Sequence, residues 1–226
     1  MNNEYAHQQC LALMEALIQY RHQPIYRQLR RFGKRQSMLH SDVLQLLYHL
    51  GRIARGGILE IGAFRGGSTV AVALGLRQSG AAKKFITIEQ GGRLRGHRLG
   101  TRNILHTLKR NLGRQGVDDI VTVVKGRSSE DYVVAAVKRA LAGEKLGLIV
   151  LDADAEVKRD LERFGLHMIE HCWVVIDDYG GSADAEKSAP IKCQVDEFVA
   201  AGSLLPLGYY GNATWFGQWL KPLPAR

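Results

Sequence analysis

Apolar positions along the chain follow two alternating patterns, which predict strands separated by helices. Five short apolar runs have the length and composition of buried strands. They lie at 58–61, 85–88, 120–124, 148–151 and 173–176. Segments with apolar residues at helical spacing separate these runs. Two further strands, over 204–210 and 213–220, are joined by Gly211-Asn212, a pair typical of hairpin turns. The pattern predicts an α/β protein with a mostly parallel sheet.

The first 40 residues precede this alternation and are predicted to be helical. Residues 4–20 place most of their apolar side chains on one face of a helix. A second helix is predicted from Pro24 to Phe32, because proline is favoured in the first helical turn. Ser41-Asp42 is predicted to cap a third helix. We therefore expect an N-terminal helical extension over 1–40, followed by one α/β domain over 41–226.

The composition is that of a soluble, folded chain. Apolar residues make up 46% of the 226 positions and only 5 are proline, which favours a sizeable core over disorder. The sequence contains no apolar run of about 18 residues and no basic start followed by an apolar core. Cys10, Cys172 and Cys193 are far apart and odd in number, which argues against a disulfide framework or a zinc site. We expect a cytoplasmic protein with reduced thiols and no membrane segment.

A formal net charge of +9 invites the hypothesis of a nucleic-acid partner, because Lys and Arg bind phosphates. Basic residues are dense over 91–116, and 99–112 is predicted to form an amphipathic helix with a basic outer face. Aromatic residues that would stack on bases are missing from this segment. Nucleic-acid binding is therefore only weakly supported, and an anionic small substrate or an acidic partner stays open.

The glycine-rich segment after the first strand carries the strongest functional signal. Gly62, Gly66 and Gly67 allow the backbone to approach a ligand, and the following helix directs unpaired N–H groups at it. The spacing matches neither the G-x-G-x-x-G of dinucleotide sites nor the P-loop of triphosphate sites. Glu60, at the end of the strand, would repel a pyrophosphate and attract an ammonium or sulfonium group. The segment therefore predicts a nucleotide-type site for a cationic ligand.

The residues from Glu60 to Ser68, Glu-Ile-Gly-Ala-Phe-Arg-Gly-Gly-Ser, resemble motif I of the class I methyltransferases that use S-adenosyl-L-methionine (SAM). More narrowly, they resemble the catechol and caffeoyl-CoA O-methyltransferases. The resemblance implies a Rossmann-like sheet of seven strands, mostly parallel with an antiparallel C-terminal strand, and helices on both faces. It also implies that SAM is the cofactor and that the N-terminal extension is a lid or a dimer contact, although helices that only pack on the core are an equal alternative. The residues that would hold its methionine end are Glu60, Gly62, Ala63, Phe64 and Ser68.

Glu89 ends the second predicted strand and is expected to bind the ribose of the cofactor. A carboxylate at this place can accept hydrogen bonds from both ribose hydroxyls, and its distance from Gly62 suits one strand-helix-strand unit. By family resemblance the segment after the third strand borders the adenine ring, although Ser128 would also suit a helix N-cap. The further predicted cofactor contacts are Glu89, Gln90, Gly126, Arg127, Ser128 and Asp152.

Acidic residues also follow the fourth and fifth predicted strands. Asp152 follows one, Asp177 and Asp178 follow the other, and the carboxyl ends of parallel strands meet at one edge of a sheet. Clustered carboxylates suit a hard cation. The cluster resembles the metal site of the catechol, caffeoyl-CoA and macrocin O-methyltransferases, and Asp177-Asp178-Tyr179 is especially like the macrocin O-methyltransferase and cephalosporin hydroxylase group. We predict a divalent cation, Mg²⁺ first, on Asp152, Asp177 and Asp178.

These features predict transfer of a methyl group from SAM to a hydroxyl of a small-molecule acceptor that the metal positions. The resembling enzymes have a Lys or His general base three residues after the first metal aspartate, whereas this chain has Ala155, so we assign no catalytic base. Two alternatives stay open. One is a catalytically altered protein that binds RNA or an acidic partner, and the other is a metal-dependent glycosyltransferase using Asp152-Ala-Asp154. A homodimer is a further expectation.

Overall fold

The computed structural model describes residues 2–181, 185–211 and 213–220. Its helices are α1 (Asn2–Tyr20), α2 (Pro24–Gln36), α3 (Ser41–Ile53), α4 (Gly67–Ser79), α5 (Ile104–Arg114), α6 (Asp131–Leu141), α7 (Val157–Gly165) and α8 (Ala185–Ala200). Its strands are β1 (Gly57–Ile61), β2 (Phe85–Glu89), β3 (Val121–Lys125), β4 (Leu146–Leu151), β5 (Met168–Ile176), β6 (Leu204–Tyr210) and β7 (Thr214–Trp219). The predicted alternation of strands and helices is confirmed.

The strands form one seven-stranded sheet in the order β3-β2-β1-β4-β5-β7-β6. The first five strands in this order, β3, β2, β1, β4 and β5, are parallel to one another. Strand β7 is antiparallel to both β5 and β6. The chain order reverses between β1 and β4, so the carboxyl ends of these two strands flank a crevice, which is where open α/β sheets bind ligands. The predicted fold class is confirmed.

Helices cover both faces of the sheet, and each face has its own apolar core. Along β1, Ile58 packs with α1 to α5, while the next residue, Leu59, packs with α6 to α8. This alternation follows from the two-residue period of a strand. A sheet buried on both faces explains why β1 and β4 are apolar almost throughout.

Glycines let α3 and α4 pack at backbone distance, which fixes the start of α4. A methyl group on Gly75 would lie 1.9 Å from the carbonyl oxygen of Tyr48. At the first residue of α4, a methyl group on Gly67 would lie 2.4 Å from the Cβ of Ser37. Larger side chains at these positions would push α4 away from its neighbours. The helix that follows the glycine-rich segment is therefore held from two sides.

Three local predictions were wrong. Helix α2 continues to Gln36 rather than ending at Phe32. Helix α5 begins at Ile104 rather than Leu99, because the side chain of Asn103 accepts a hydrogen bond from the backbone N–H of His106 and caps the helix there. The residues before it form a loop instead. Likewise, the N-cap of α3 is His40 and not the predicted Ser41-Asp42 pair, since the His40 ring accepts from the backbone of Asp42.

The N-terminal extension packs on the domain through α1. Leu13 and Leu17 are buried in the core shared with α3, while Leu11, Met14 and Ile18 are exposed. The boundary at residue 40 and a role as lid or dimer contact stay predictions. The turn residue Asn212 lies outside the described residues. No helix within the described ranges has the length and apolar character needed to span a bilayer.

Candidate active site

The loop between β1 and α4 turns through three residues with positive φ. Gly62 and Gly66 have φ of 97° and 86°, and Phe64 has φ of 48°. A Cβ on Gly62 would lie 2.1 Å from the backbone oxygen of Asp152, an approach that only glycine permits. The carboxyl ends of β1 and β4 therefore meet directly beside this loop.

Glu60 is completely buried on the sheet face that α4 covers. The hydroxyls of Thr69 in α4 and Thr87 in β2 both donate to its Oε2, each at 2.6 Å. Its other oxygen, Oε1, is buried and accepts no hydrogen bond of ordinary geometry within the described part of the chain. Burial raises the pKa of Glu60, and nearby hydroxyls, Ser68 among them, oppose that rise. Glu60 is thus a buried acid that hydroxyl groups stabilise and that forms no ion pair within the described residues.

Glu89, at the end of β2, is fixed by backbone groups. Its Oε2 accepts from the N–H of Phe64 at 2.6 Å, and its Oε1 accepts from the N–H of Gly91 at 2.7 Å. Burial raises its pKa, whereas these two N–H groups favour the charged form. A carboxylate offers about four lone-pair directions, so each oxygen keeps capacity for a further donor. Glu89 therefore ties the glycine-rich loop to β2 and stays able to bind a ligand.

A cavity of about 380 Å³ opens between this loop and the ends of β2, β3 and β4. The predicted cofactor residues that line it are Gly62, Phe64, Glu89, Gln90, Gly126, Arg127, Ser128 and Asp152. Three others, Glu60, Ala63 and Ser68, do not line it and are at most 3% exposed. Their contact with a ligand stays a prediction.

The cavity also has apolar walls that the sequence did not indicate. Ile88 and Ile104 contribute them, together with Ile61 and Phe64. Ile88 lies on a strand that is apolar on both faces, so its sequence pattern gives no sign of a ligand. Ile104 reaches the site only because the loop after β2 delivers the first turn of α5 there. Apolar walls with a few fixed polar groups are typical of small-molecule sites.

One wall of the cavity is held by a network around Arg159. This side chain donates to Ser128 Oγ at 3.0 Å and forms ion pairs with Asp154 and Asp160. Burial opposes a rise in the pKa of Arg159, but its bonds with the two aspartates outweigh burial and raise it. Ser128 is therefore held at the cavity instead of capping α6, whose N-cap is Glu130. Asp154 is directed to Arg159, which leaves the Asp152-Ala-Asp154 pattern without a second free carboxylate.

The three predicted metal residues do converge. Asp152, Asp177 and Asp178 each offer a carboxylate oxygen, and these oxygens lie within 4.8 Å of one another. Asp177 Oδ1 also accepts from the hydroxyl of Thr214 at 2.5 Å. Burial, and then the charge of Asp177, raises the pKa of Asp152 well above its ordinary value. Because Asp152 also lines the cavity, the acid cluster stands at its edge.

Lys187 of α8 enters this cluster, which the sequence analysis missed. Its ammonium donates to Asp178 Oδ2 at 2.5 Å. Burial acts to lower the pKa of Lys187, but the bond to Asp178 and the charges of Asp152 and Asp177 raise it overall. No sequence motif indicated this residue, because the folding of α8 over the sheet edge brings it there. The cluster therefore already contains one positive charge.

Residues 59–179, more than half of the chain, match a family model described as a methyltransferase domain. The chain belongs to this methyltransferase family. The match runs from β1 to the residues after β5, and thus includes the glycine-rich loop, Glu89 and the acid cluster. No curated protein sequence matches the chain.

Solved methyltransferase structures share the fold over about nine-tenths of the chain. A proposed caffeoyl-CoA O-methyltransferase from Staphylococcus aureus is 18% identical, with a TM-score of 0.65 over 92% of this chain and 99% of that one. The O-methyltransferase TomG from Streptomyces achromogenes, in complex with SAM, is 16% identical, with a TM-score of 0.61 over 91% and 90%. An O-methyltransferase from Bacillus cereus, in complex with SAH, is 16% identical, with a TM-score of 0.59 over 92% and 90%.

The contrasting environments of the two glutamates predict opposite effects of amide substitution on stability. In Glu60→Gln the amide oxygen can accept the hydrogen bonds from both threonine hydroxyls, while the NH₂ group replaces Oε1. The variant therefore mimics the neutral acid that burial favours. Because the folded-state pKa is raised, wild-type stability falls as the pH rises above about 4.5, the ordinary value. Glu60→Gln should therefore have the same free energy of unfolding as the wild type near pH 4 and a larger one at pH 7.

Glu89→Gln is the matched comparison, because its NH₂ would face a backbone N–H whichever way the amide turns. We expect it to lose about 1–3 kcal/mol of unfolding free energy at pH 7. Urea denaturation at pH 4 and pH 7 measures the free energy of unfolding of both variants and of the wild type. Equal destabilisation of the two variants at pH 7 would contradict the assignment of Glu60 as an uncompensated buried acid.

Proposed function

We propose that this chain transfers a methyl group from SAM to a hydroxyl oxygen of a small-molecule acceptor. The observation that carries the proposal is the fully buried Glu60 carboxylate, which hydroxyl groups surround and no cation pairs among the described residues, next in the chain to the residues that line the 380 Å³ cavity. A buried carboxylate without a charged partner is costly and is stabilised by a cationic donor. Membership of a methyltransferase family, and neighbours of the same fold that bind SAM or SAH, support this choice of ligand.

The residues present fit SAM, which would supply an electrophilic methyl group. Glu60 would hold the positively charged methionine end through Oε1, and Glu89 would accept hydrogen bonds from the ribose hydroxyls with its remaining lone pairs. The apolar walls of the cavity, Ile88 and Ile104, would enclose the adenine ring. Much of the barrier to methyl transfer can be removed by such positioning alone.

The acid cluster is where we propose that the acceptor binds. Its donor chemistry fits a divalent cation, Mg²⁺ first, held by Asp152, Asp177 and Asp178. When bound, such an ion would lower the pKa of an acceptor hydroxyl. Lys187 already touches Asp178, so we propose that the ion and the Lys187 ammonium compete for the cluster. No catalytic base is assigned, since Ala155 stands where the resembling enzymes have one.

The two other functions weighed from the sequence have less support. The pairing of Asp154 with Arg159 and the family match both weigh against a glycosyltransferase. The match of residues 59–179 to a methyltransferase domain favours catalysis over a non-catalytic binding protein. A homodimer stays a prediction, and the exposed apolar side chains of α1, Leu11, Met14 and Ile18, are the surface through which we expect it.

Calorimetry with S-adenosylhomocysteine and a methyl-transfer assay with labelled SAM test the function. We expect micromolar binding by the wild type, weakened at least about tenfold in Glu89→Ala and in Glu60→Gln. The control is Asp119→Asn, an exposed acid paired with Arg77, which should bind like the wild type. A panel of phenols and catechols, with amine analogues, identifies the acceptor class. Absence of binding at millimolar ligand would remove the proposal.

Competition between Lys187 and a divalent ion predicts a gain of affinity on mutation. Removing a positive charge from the cluster should let Lys187→Gln bind Mn²⁺ at least about tenfold more tightly than the wild type, as measured by the EPR signal of free Mn²⁺. Lys192→Gln removes the same charge from an exposed position of α8, where Lys192 pairs with Asp196, and should change nothing. Unchanged Mn²⁺ affinity in Lys187→Gln would show that lysine and ion do not compete.

A further inference from the structure

A second and larger cavity, of about 690 Å³, lies between α2 and the end of α5. Four arginines line it, and we call it the arginine groove. They are Arg27, Arg31, Arg35 and Arg114. The first three stand four residues apart on α2, so they line one side of the groove at intervals of about 6 Å. Methyl transfer as proposed above makes no use of this groove.

The positive charge of the groove is not compensated by acids. Helix α2 contains five basic residues and α5 contains three, and neither helix contains an Asp or Glu. None of these eight side chains forms an ion pair within the described ranges of the chain. Like charges four residues apart destabilise a helix by about 0.2–0.5 kcal/mol per pair. The spacing on α2 thus opposes helix stability, and a bound anion would offset that cost.

The groove has the chemistry of a phosphate site. Guanidinium groups bind phosphate oxygens with two parallel hydrogen bonds, and several of them around one concavity suit several phosphates. The cavity has the volume of a small-molecule site. Its aromatic lining residues within the described part of the chain are Phe32 and His22, which give little surface for stacking successive bases of RNA. We propose that the arginine groove binds a small ligand carrying two or more phosphate groups.

The floor of the groove is joined to the cofactor loop. Gln36 lines the groove and accepts hydrogen bonds from Arg65 at 2.6 Å and from Asn111 at 3.0 Å. Asn111, also in the lining, donates to the carbonyl oxygen of Arg65 at 2.8 Å. Arg65 follows Phe64 in the glycine-rich loop. A ligand in the groove would therefore act on the loop that forms the cofactor cavity, and the two ligands would affect each other's affinity equally. This coupling, unlike the phosphate site itself, rests on the proposed function.

The test compares orthophosphate, pyrophosphate and tripolyphosphate by calorimetry on the full-length chain. Tripolyphosphate should bind at least about tenfold more tightly than orthophosphate, and Arg31→Gln/Arg35→Gln should lose that preference. These residues are exposed, so the variant is expected to fold, which circular dichroism verifies. The control, Lys138→Gln/Arg139→Gln, removes two positive charges from an exposed part of α6 and should bind like the wild type.

Three results would overturn the proposal. They are equal affinity for orthophosphate and tripolyphosphate, equal weakening in the α6 control, and binding of a single-stranded RNA of about 20 nucleotides without binding of tripolyphosphate. The last result would make the groove an RNA site instead. The proposed function is tested separately: a protein that binds tripolyphosphate but not S-adenosylhomocysteine keeps the groove and loses the methyltransferase assignment. A change in S-adenosylhomocysteine affinity when tripolyphosphate is added would support the coupling.

Discussion

The buried carboxylate of Glu60 is the constraint on which the rest of the site depends. An acid inside a sheet core is unfavourable unless hydrogen bonds or a cation stabilise it. Thr69 and Thr87 satisfy one oxygen, and they do so from the two elements, α4 and β2, that flank β1. We propose that the other oxygen receives the positively charged end of the ligand. Under that proposal, the cost of burying the acid becomes selectivity for a cationic partner.

Glu89 and the acid cluster use charge in different ways. Glu89 is held by two backbone N–H groups, so its position is defined before any ligand arrives. Such preorganisation lowers the entropic cost of binding. The cluster of Asp152, Asp177 and Asp178 instead contains an ion pair between Asp178 and Lys187. Glu89 is thus held by neutral donors, whereas the acid cluster is already paired with a positive charge of its own chain.

The sequence allowed the fold to be predicted because its signals are local. Apolar runs define β1 to β5, and the glycines after β1 indicate a loop that approaches another backbone, as Gly62 does at Asp152. Which face Glu60 takes could not be predicted, because β1 is apolar on both sides and its alternation gives no direction. Ile104 and Lys187 were missed for a related reason. Each reaches the site through packing of a distant helix, for which a single sequence carries no local pattern.

A crystal structure of the chain with S-adenosylhomocysteine would show whether Glu60 binds the ligand. We expect the amino group of the ligand within about 2.7–3.2 Å of Glu60 Oε1, with both ribose hydroxyls on Glu89 and the adenine ring against Ile104. A complex in which Glu60 stays sealed behind the loop, and the amino group binds elsewhere, would contradict this expectation.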